Sequence, residues 1–389
     1  MSVVIVFSVV LFAALLVSEL AERSIVSTAV IFLAAGITAG MAGWIVLEPR
    51  DPFVTRVAQL ALFSVLFTEG MQLGFRDLRK AWRLPGRALL VGMPLTGLLM
   101  AVFARWVCGV SWLHAALIAA VLSPTDPVFA AAIAGREEIP RKLRDLLNVE
   151  SGVNDGLALP VVLGLITLLS KGHAEWGRLA LELTAGIVAG IVIPWIAIVV
   201  ERAPIFAVTP TLQPLFVFSI GLLVFGITNL QHLNEYLAAF AAGMTVATFA
   251  PRLKKEFAPF GGLIAELLKL LALLIFGSLI SFELLQETGW RGFVFALLVL
   301  VVARPLVLWL VLARSPLDWR ERLTAGWFGP RGFASVIYGI MVLRAPIPDA
   351  LSTARIIAVV ILVSIVAHSS TDVPIAHAFR RRADGYGVR

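Results

Sequence analysis

Long apolar runs and short charged links alternate along the whole chain. Thirteen runs, each bounded by charges or by Gly and Pro clusters, stand out: Val3 to Leu20, Ser27 to Leu47, Val57 to Phe75, Ala88 to Val107, Leu113 to Ala134, Leu146 to Ser170, Leu179 to Val200, Leu212 to Leu230, Asn234 to Ala250, Leu263 to Phe282, Phe293 to Ala313, Leu323 to Leu343 and Ile356 to Ile375. Each is close to the roughly 20 residues a helix needs to cross a hydrocarbon core. None alternates with a period of two, and each is about twice as long as a barrel strand, so the pattern predicts helices. The expectation is an all-α polytopic membrane protein of about 13 transmembrane helices, with residues 1–389 as one membrane domain. No basic residue precedes the first run, and the first positive charge, Arg23, follows it. That run therefore reads as a retained helix and not as a cleaved signal peptide.

Composition agrees with the pattern. The chain is 59% hydrophobic and 15% charged, where a soluble domain has roughly 25% charged residues, and its mean hydropathy is +0.93. The net charge of +7 resolves into sides of a membrane. With the N-terminus outside, 21 Lys and Arg residues fall on the cytoplasmic side and 8 outside. This bias predicts a cytoplasmic C-terminus and removes any need to invoke nucleic acid. A prokaryotic inner membrane is the expected location. The single cysteine, Cys108, excludes an internal disulfide and a cysteine metal cluster. No cofactor motif occurs, and no cofactor is expected.

An ionisable side chain at mid-bilayer costs about 2.5 to 3.5 kcal/mol on insertion scales, so each needs a partner or a role. The candidates are Glu69, Asp126, Glu150, Asp155, Glu266, Lys269, Arg304 and Arg331. Span five contains Ser123-Pro124-Thr125-Asp126-Pro127. A lone proline merely kinks a helix, but two prolines around Thr-Asp predict an unwound segment at Thr125 and Asp126. Unwound backbone at membrane depth is tolerated where it lines a cavity, and its carbonyls can coordinate a small cation. Span six opens with Asn148-Val149-Glu150-Ser151-Gly152-Val153-Asn154-Asp155. Helical spacing stacks Glu150 over Asn154 and Ser151 over Asp155, sending oxygen ligands toward one region. Span twelve carries a second break, Gly329-Pro330-Arg331-Gly332. Two interrupted helices in different halves of a membrane protein point to inverted repeats with a site near the midplane. Asp126 and Arg331 are suited to neutralise the exposed half-helix dipoles.

Arg304 cannot discard its proton and must meet a carboxylate or water. Glu150 is its expected partner, which leaves Asp155 free to titrate. Glu69 reads as a supporting carboxylate, and Glu266 with Lys269, three residues apart, as a mutually satisfied pair. The five histidines sit mostly near span ends or loops, where interfacial or solvent-exposed positions are expected, with none at metal-ligand spacing.

Taken together these residues resemble the monovalent cation:proton antiporter superfamily, and within it the sodium/proton exchanger branch. The resemblance rests on Thr125-Asp126-Pro127, on Glu150-Ser151 through Asn154-Asp155, on Arg304 and on the Gly329–Gly332 break, and it covers nearly the whole chain. It implies a homodimer in the lipid bilayer. Residues 88–170 and 293–375 would form a core with two crossed discontinuous helices, spans five and twelve. Residues 1–75 and 179–282 would serve mainly dimerisation and linking, and 376–389 would be a short cytoplasmic tail without the regulatory domain of many relatives. It further implies that Asp155 binds either H+ or Na+, or alternatively K+ or Li+, with Ser151, Thr125 and Asp126 at the same site. Asn154, Glu150, Arg304, Arg331 and Glu69 would stabilise it, and Pro124, Pro127, Gly329 and Pro330 would make the breaks. Asn before the aspartate implies electroneutral exchange. The branch usually reads Glu-Ser-Leu-Leu-Asn-Asp, so Gly152 and Val153 depart from it and are expected to loosen helix packing there.

A mechanism follows from the carboxylate itself. Burial disfavours its charged form and a bound cation favours it, so proton and cation compete for one residue. If only the neutralised site crosses, one cation exchanges for one proton. A membrane hydrolase built on Asp126 and Asp155 needs neither two helix breaks nor a membrane-embedded arginine. A passive channel would show a repeated filter or a ring of charges. The remaining alternative is a broken-helix transporter of another solute, such as an organic anion, for which a titratable Asp155 beside Asn154 is poorly suited.

Overall fold

A computed structural model describes residues 3–18, 27–48, 51–72, 74–75, 83–126, 139–171, 176–203 and 205–386. Among the described residues are fourteen helices and no strand. They are α1 (Val3–Leu16), α2 (Thr28–Met41), α3 (Pro52–Gln72), α4 (Leu84–Cys108), α5 (Trp112–Leu122), α6 (Arg141–Lys171), α7 (Trp176–Glu201), α8 (Gln213–Leu230), α9 (Glu235–Phe249), α10 (Pro251–Ser278), α11 (Phe282–Val311), α12 (Trp319–Trp327), α13 (Phe333–Arg344) and α14 (Ala350–Tyr386). Eight of them are long and apolar enough to cross a membrane, while α1, α2, α5 and α13 are shorter apolar helices.

Local chemistry sets many of the helix starts. Ser27, Ser111, Asn234 and Ser281 each accept a backbone N–H of the first turn with the side-chain oxygen, satisfying one of the donors that a helix start leaves free. Asp318 and Glu321 form a reciprocal capping box at the start of α12, both bonds 2.7 Å. Of the three π turns among the described residues, two, Ala88–Gly92 in α4 and Val299–Ala303 in α11, end two residues ahead of Pro94 and Pro305. A proline removes one ladder donor and crowds the preceding turn, and a widened turn accommodates both effects.

Several expected boundaries shift. The twelfth span is two helices, α12 and α13, separated by the predicted break. The fifth stops at Leu122, and Pro127, with the rest of that span, lies outside the described residues. α11 begins at Phe282, ahead of the expected Phe293, because a short helical stretch is joined to it across Gly289, whose φ is +62°. The expected tail from residue 376 is helical to Tyr386 as the end of α14. α6 runs without a break through Gly152 and Val153.

α3 packs against α9 and α10, α9 against α7, and α10 against α2. Elsewhere α11 and α13 pack on α14, α12 on α11, and α4 on α5. The two sets meet where α3, α9 and α10 face α6 and α13. The α3–α9 contact depends on two glycines that face each other's backbone: a Cβ on Gly70 would lie 2.2 Å from the Phe240 carbonyl oxygen, and one on Gly243 would lie 2.2 Å from that of Phe67. Neither carbonyl can retreat without moving its helix. Gly243→Ala is therefore expected to cost about 1 to 3 kcal/mol, read as a lower melting temperature of the detergent-solubilised protein. Gly226→Ala, where an added Cβ meets nothing within 4 Å, should stay within about 0.5 kcal/mol of wild type. Equal melting temperatures for the two variants would contradict this account of the contact.

Candidate functional site

The helix of α5 stops at Leu122, and Pro124, Thr125 and Asp126 follow in non-helical backbone. Between α12 and α13, residues Phe328 to Gly332 form the second break. The two breaks touch. The Asp126 N–H donates to the Pro330 carbonyl at 2.9 Å, and the Phe333 N–H donates to Asp126 Oδ2 at 2.9 Å. Arg331 Nη1 donates to the carbonyls of Ser123 and Pro124 at 3.3 and 3.4 Å. Each broken segment thus lends its charge to the other: Asp126 sits at the N-terminal end of α13, and Arg331 at the C-terminal end of α5. These are the signs that the respective helix ends favour. The break needs its glycines for these approaches, because a Cβ on Gly332 would lie 2.0 Å from Asp126 Oδ2, and one on Gly329 2.0 Å from Arg304 Nε.

Arg304 leaves the π turn of α11 and meets Glu150 on α6 in a two-pronged pair, Nη1 to Oε1 at 2.7 Å and Nη2 to Oε2 at 3.0 Å. Both side chains are buried. Nη2 also reaches the Ala325 and Phe328 carbonyls at 3.4 and 3.3 Å, at the end of α12. The fork occupies both terminal nitrogens of the buried guanidinium, while Nε has no hydrogen-bond partner.

One helical turn along α6 from Glu150, Asn154 Nδ2 donates to Thr125 Oγ1 at 2.6 Å, and Thr125 Oγ1 lies 3.5 Å from Ser151 Oγ. Asp155 is 2% exposed. Its carbonyl accepts from Tyr338 Oη at 2.9 Å, whereas its Oδ1 and the Oδ1 of Asn154 have no hydrogen-bond partner. Asp155, Asp126, Glu69, Lys269, Glu266, Gln72, Asn148 and Phe333 are among the residues lining a cavity of about 230 Å³ between α3, α6, α10 and α13. Gln72 and Asn148 are exposed and Asp126 and Asp155 buried, so the cavity runs inward from the end of α3 and from a level about two turns into α6. Asn148 and Asp155 are seven residues apart on one helix, about 10 Å of descent at 1.5 Å per residue. Glu69, also buried, has both carboxylate oxygens without a partner. Hard monovalent cations prefer carboxylate, hydroxyl and carbonyl oxygens, the groups that converge at the base of this cavity.

A family model described as sodium/hydrogen exchanger, transmembrane, matches residues 7–377. The chain belongs to the sodium/hydrogen exchanger family. It is 28% identical over 324 residues to a probable Na(+)/H(+) antiporter of Schizosaccharomyces pombe, covering 76% of this chain and 42% of that one. It is 24% identical over 383 residues to the K(+)/H(+) antiporter NhaP of Alkalimonas amylolytica, covering 96% and 66%. The chain thus spans 42% and 66% of the length of these two curated relatives. Its fold is similar to that of the sodium proton antiporter MjNhaP1 from Methanocaldococcus jannaschii at pH 8, with a TM-score of 0.81 at 18% identity over 97% of this chain and 98% of that one.

In this exchanger-family chain, some residues around the site carried no signal in the sequence. Tyr338 is an ordinary aromatic residue in an apolar run until α13 brings its hydroxyl to the backbone of Asp155. Ser364 on α14 accepts the Arg331 N–H at 2.7 Å. His368 corrects the expectation of interfacial or exposed histidines. It is 2% exposed, with Nδ1 2.8 Å from the Ser364 carbonyl and Nε2 2.9 Å from the Trp327 carbonyl. His114 is also buried, between Ser111 Oγ and the Pro348 carbonyl. Both rings are held inside because each ring nitrogen finds a partner, which removes the main cost of burying them.

Proposed function

We propose that this integral membrane protein is a secondary transporter that exchanges a monovalent cation for H+, with Na+ as the first candidate, one for one and without net charge movement. The observation that carries this reading is Asp155. It is a buried carboxylate with an oxygen that has no hydrogen-bond partner, at the base of a cavity and beside Asn154, Thr125 and Ser151. Proton and cation compete for it, Ser151, Thr125 and Asp126 supply further oxygens, and the Glu150–Arg304 pair and Arg331 hold the breaks around it. The core of residues 88–170 and 293–375, with the two broken segments crossed, moves against residues 1–75 and 179–282, which also join two copies. The charge bias assigns the mouth at Gln72 and Asn148 to the cytoplasm.

The family membership and the Na(+)/H(+) relative support the choice of Na+. K+ is the second reading, favoured by the K(+)/H(+) relative that aligns over 96% of this chain. The test uses purified protein in liposomes with an acidic interior and a trapped pH dye. Adding Na+ outside is expected to alkalinise the interior at a rate that does not change when the membrane potential is clamped. A response to K+ alone would select the second reading, and a rate that follows the potential would remove the one-for-one stoichiometry. No response to Na+, K+ or Li+ at several pH values would end the exchange reading.

A further inference from the structure

The Glu266–Lys269 pair does more than satisfy itself. The two side chains are ion-paired one turn apart on α10, and both line the cavity that leads to Asp155. Lys269 is 4% exposed at its side chain, whereas that of Glu266 is 42% exposed. Among the described residues Lys269 is the one basic residue on the cavity wall, facing Glu69 on α3, Asp126 at the break and Asp155 on α6. Asp155, Asp126 and Lys269 all lie within electrostatic reach of Glu69. Both oxygens of buried Glu69, and Oδ1 of Asp155, have no hydrogen-bond partner.

Four carboxylates around one cavity attract a divalent cation more strongly than a monovalent one, because each Coulomb interaction scales with the charge of the ion. As they stand, no three acidic side chains among the described residues are grouped closely enough to hold a metal ion. We propose that Lys269 sets valence selectivity: its ammonium is a fixed positive charge that admits a monovalent cation to the cavity and rejects a divalent one. A resident unit charge repels a divalent ion twice as strongly as a monovalent ion at the same distance, and the low polarisability of the surroundings magnifies the difference. Glu266 contributes by holding the ammonium in place, and in doing so it is withdrawn from the set of available ligands. The burial of Lys269 keeps its charge from being diluted into solvent.

This inference deepens the exchange reading of the same cavity, but its test does not require exchange. Ca2+ is titrated into detergent-solubilised wild type, K269M and K269R while thermal stability is followed. K269M keeps much of the packing of the stem, and K269R keeps the charge. Ca2+ is expected to stabilise K269M at concentrations about tenfold lower than wild type, with K269R behaving as wild type. In liposomes, Ca2+ should inhibit the cation-driven proton flux of K269M at correspondingly lower concentration. E266Q, which leaves the ammonium uncompensated, should move the other way and raise the monovalent concentration for half-maximal flux severalfold. Identical Ca2+ responses in wild type and K269M would overturn the proposal, as would a K269R variant that gains Ca2+ binding to the same extent as K269M. A protein that binds Ca2+ as expected across these variants, yet moves no protons, would overturn the exchange reading and leave the selectivity role of Lys269 standing.

Discussion

Asp155→Asn is expected to reduce cation-dependent proton flux to that of protein-free vesicles while leaving the protein folded. The carboxylate is 2% exposed, and the hydrogen bond that ties this residue to α13 is made by its carbonyl, which accepts from Tyr338. The substitution therefore keeps the backbone contact and nearly the same side-chain volume, and it removes only the group that can take up a proton or a unit of positive charge. A buried carboxylate is costly to hold in its ionised form, so the melting temperature should be equal to that of wild type or higher. Stability and transport then move apart, which a folding defect would not produce. Flux that survives in this variant and still depends on the cation would refute the role given to Asp155.

Arg304→Ala should have the opposite signature, a large loss of stability. It leaves Glu150 buried without its guanidinium and takes donors away from the Ala325 and Phe328 carbonyls. Breaking a buried pair from one side costs about 3 to 5 kcal/mol, because the remaining charge is uncompensated. The companion experiment removes both charges. Glu150→Leu combined with Arg304→Met should recover much of the loss, since apolar replacement of a whole buried pair is often near neutral. Melting temperatures of the two single variants and the double variant form a cycle. Losses that merely add in the double variant would show that the pair is not the unit that matters here.

How much of this was legible in the sequence depends on where the physical cause lies. The breaks were readable because proline and glycine act on their own backbone, and the chain leaves its helices at Pro124–Asp126 and Phe328–Gly332 as their chemistry requires. The meeting of Arg304 with Glu150 could be expected because a membrane-embedded guanidinium has few other options. That Asp126 and Arg331 suit the exposed half-helix dipoles could be read from their charge, but that each serves the other segment's helix end could not, because it depends on which ends the fold brings together. What could not be read depends on neighbours far away in the chain. The partners of His368 and Tyr338 include backbone carbonyls, at Trp327 and Asp155, and a carbonyl has no sequence identity to recognise. Lys269 looked self-contained because its ion-pair partner is three residues away, and only the packing of α3, α6 and α10 puts it on the wall of the cavity. The early start of α11 and the long end of α14 were missed because polar helical turns beyond an apolar run leave no mark in hydropathy.

The exchange of caps between the two breaks also bears on how the protein is made. Glu150 precedes Arg304 by 154 residues, and Asp126 precedes Phe333 by 207. At synthesis rates of about 5 to 20 residues per second, the acidic groups of the first half leave the ribosome roughly 10 to 40 s before their partners. During that interval Glu150 lacks the guanidinium that pairs with it in the finished fold, and Asp126 lacks the N–H of Phe333. A chain interrupted before Arg304 therefore carries a buried carboxylate whose guanidinium never arrives, and such a fragment is expected to be cut by added protease faster than the full chain.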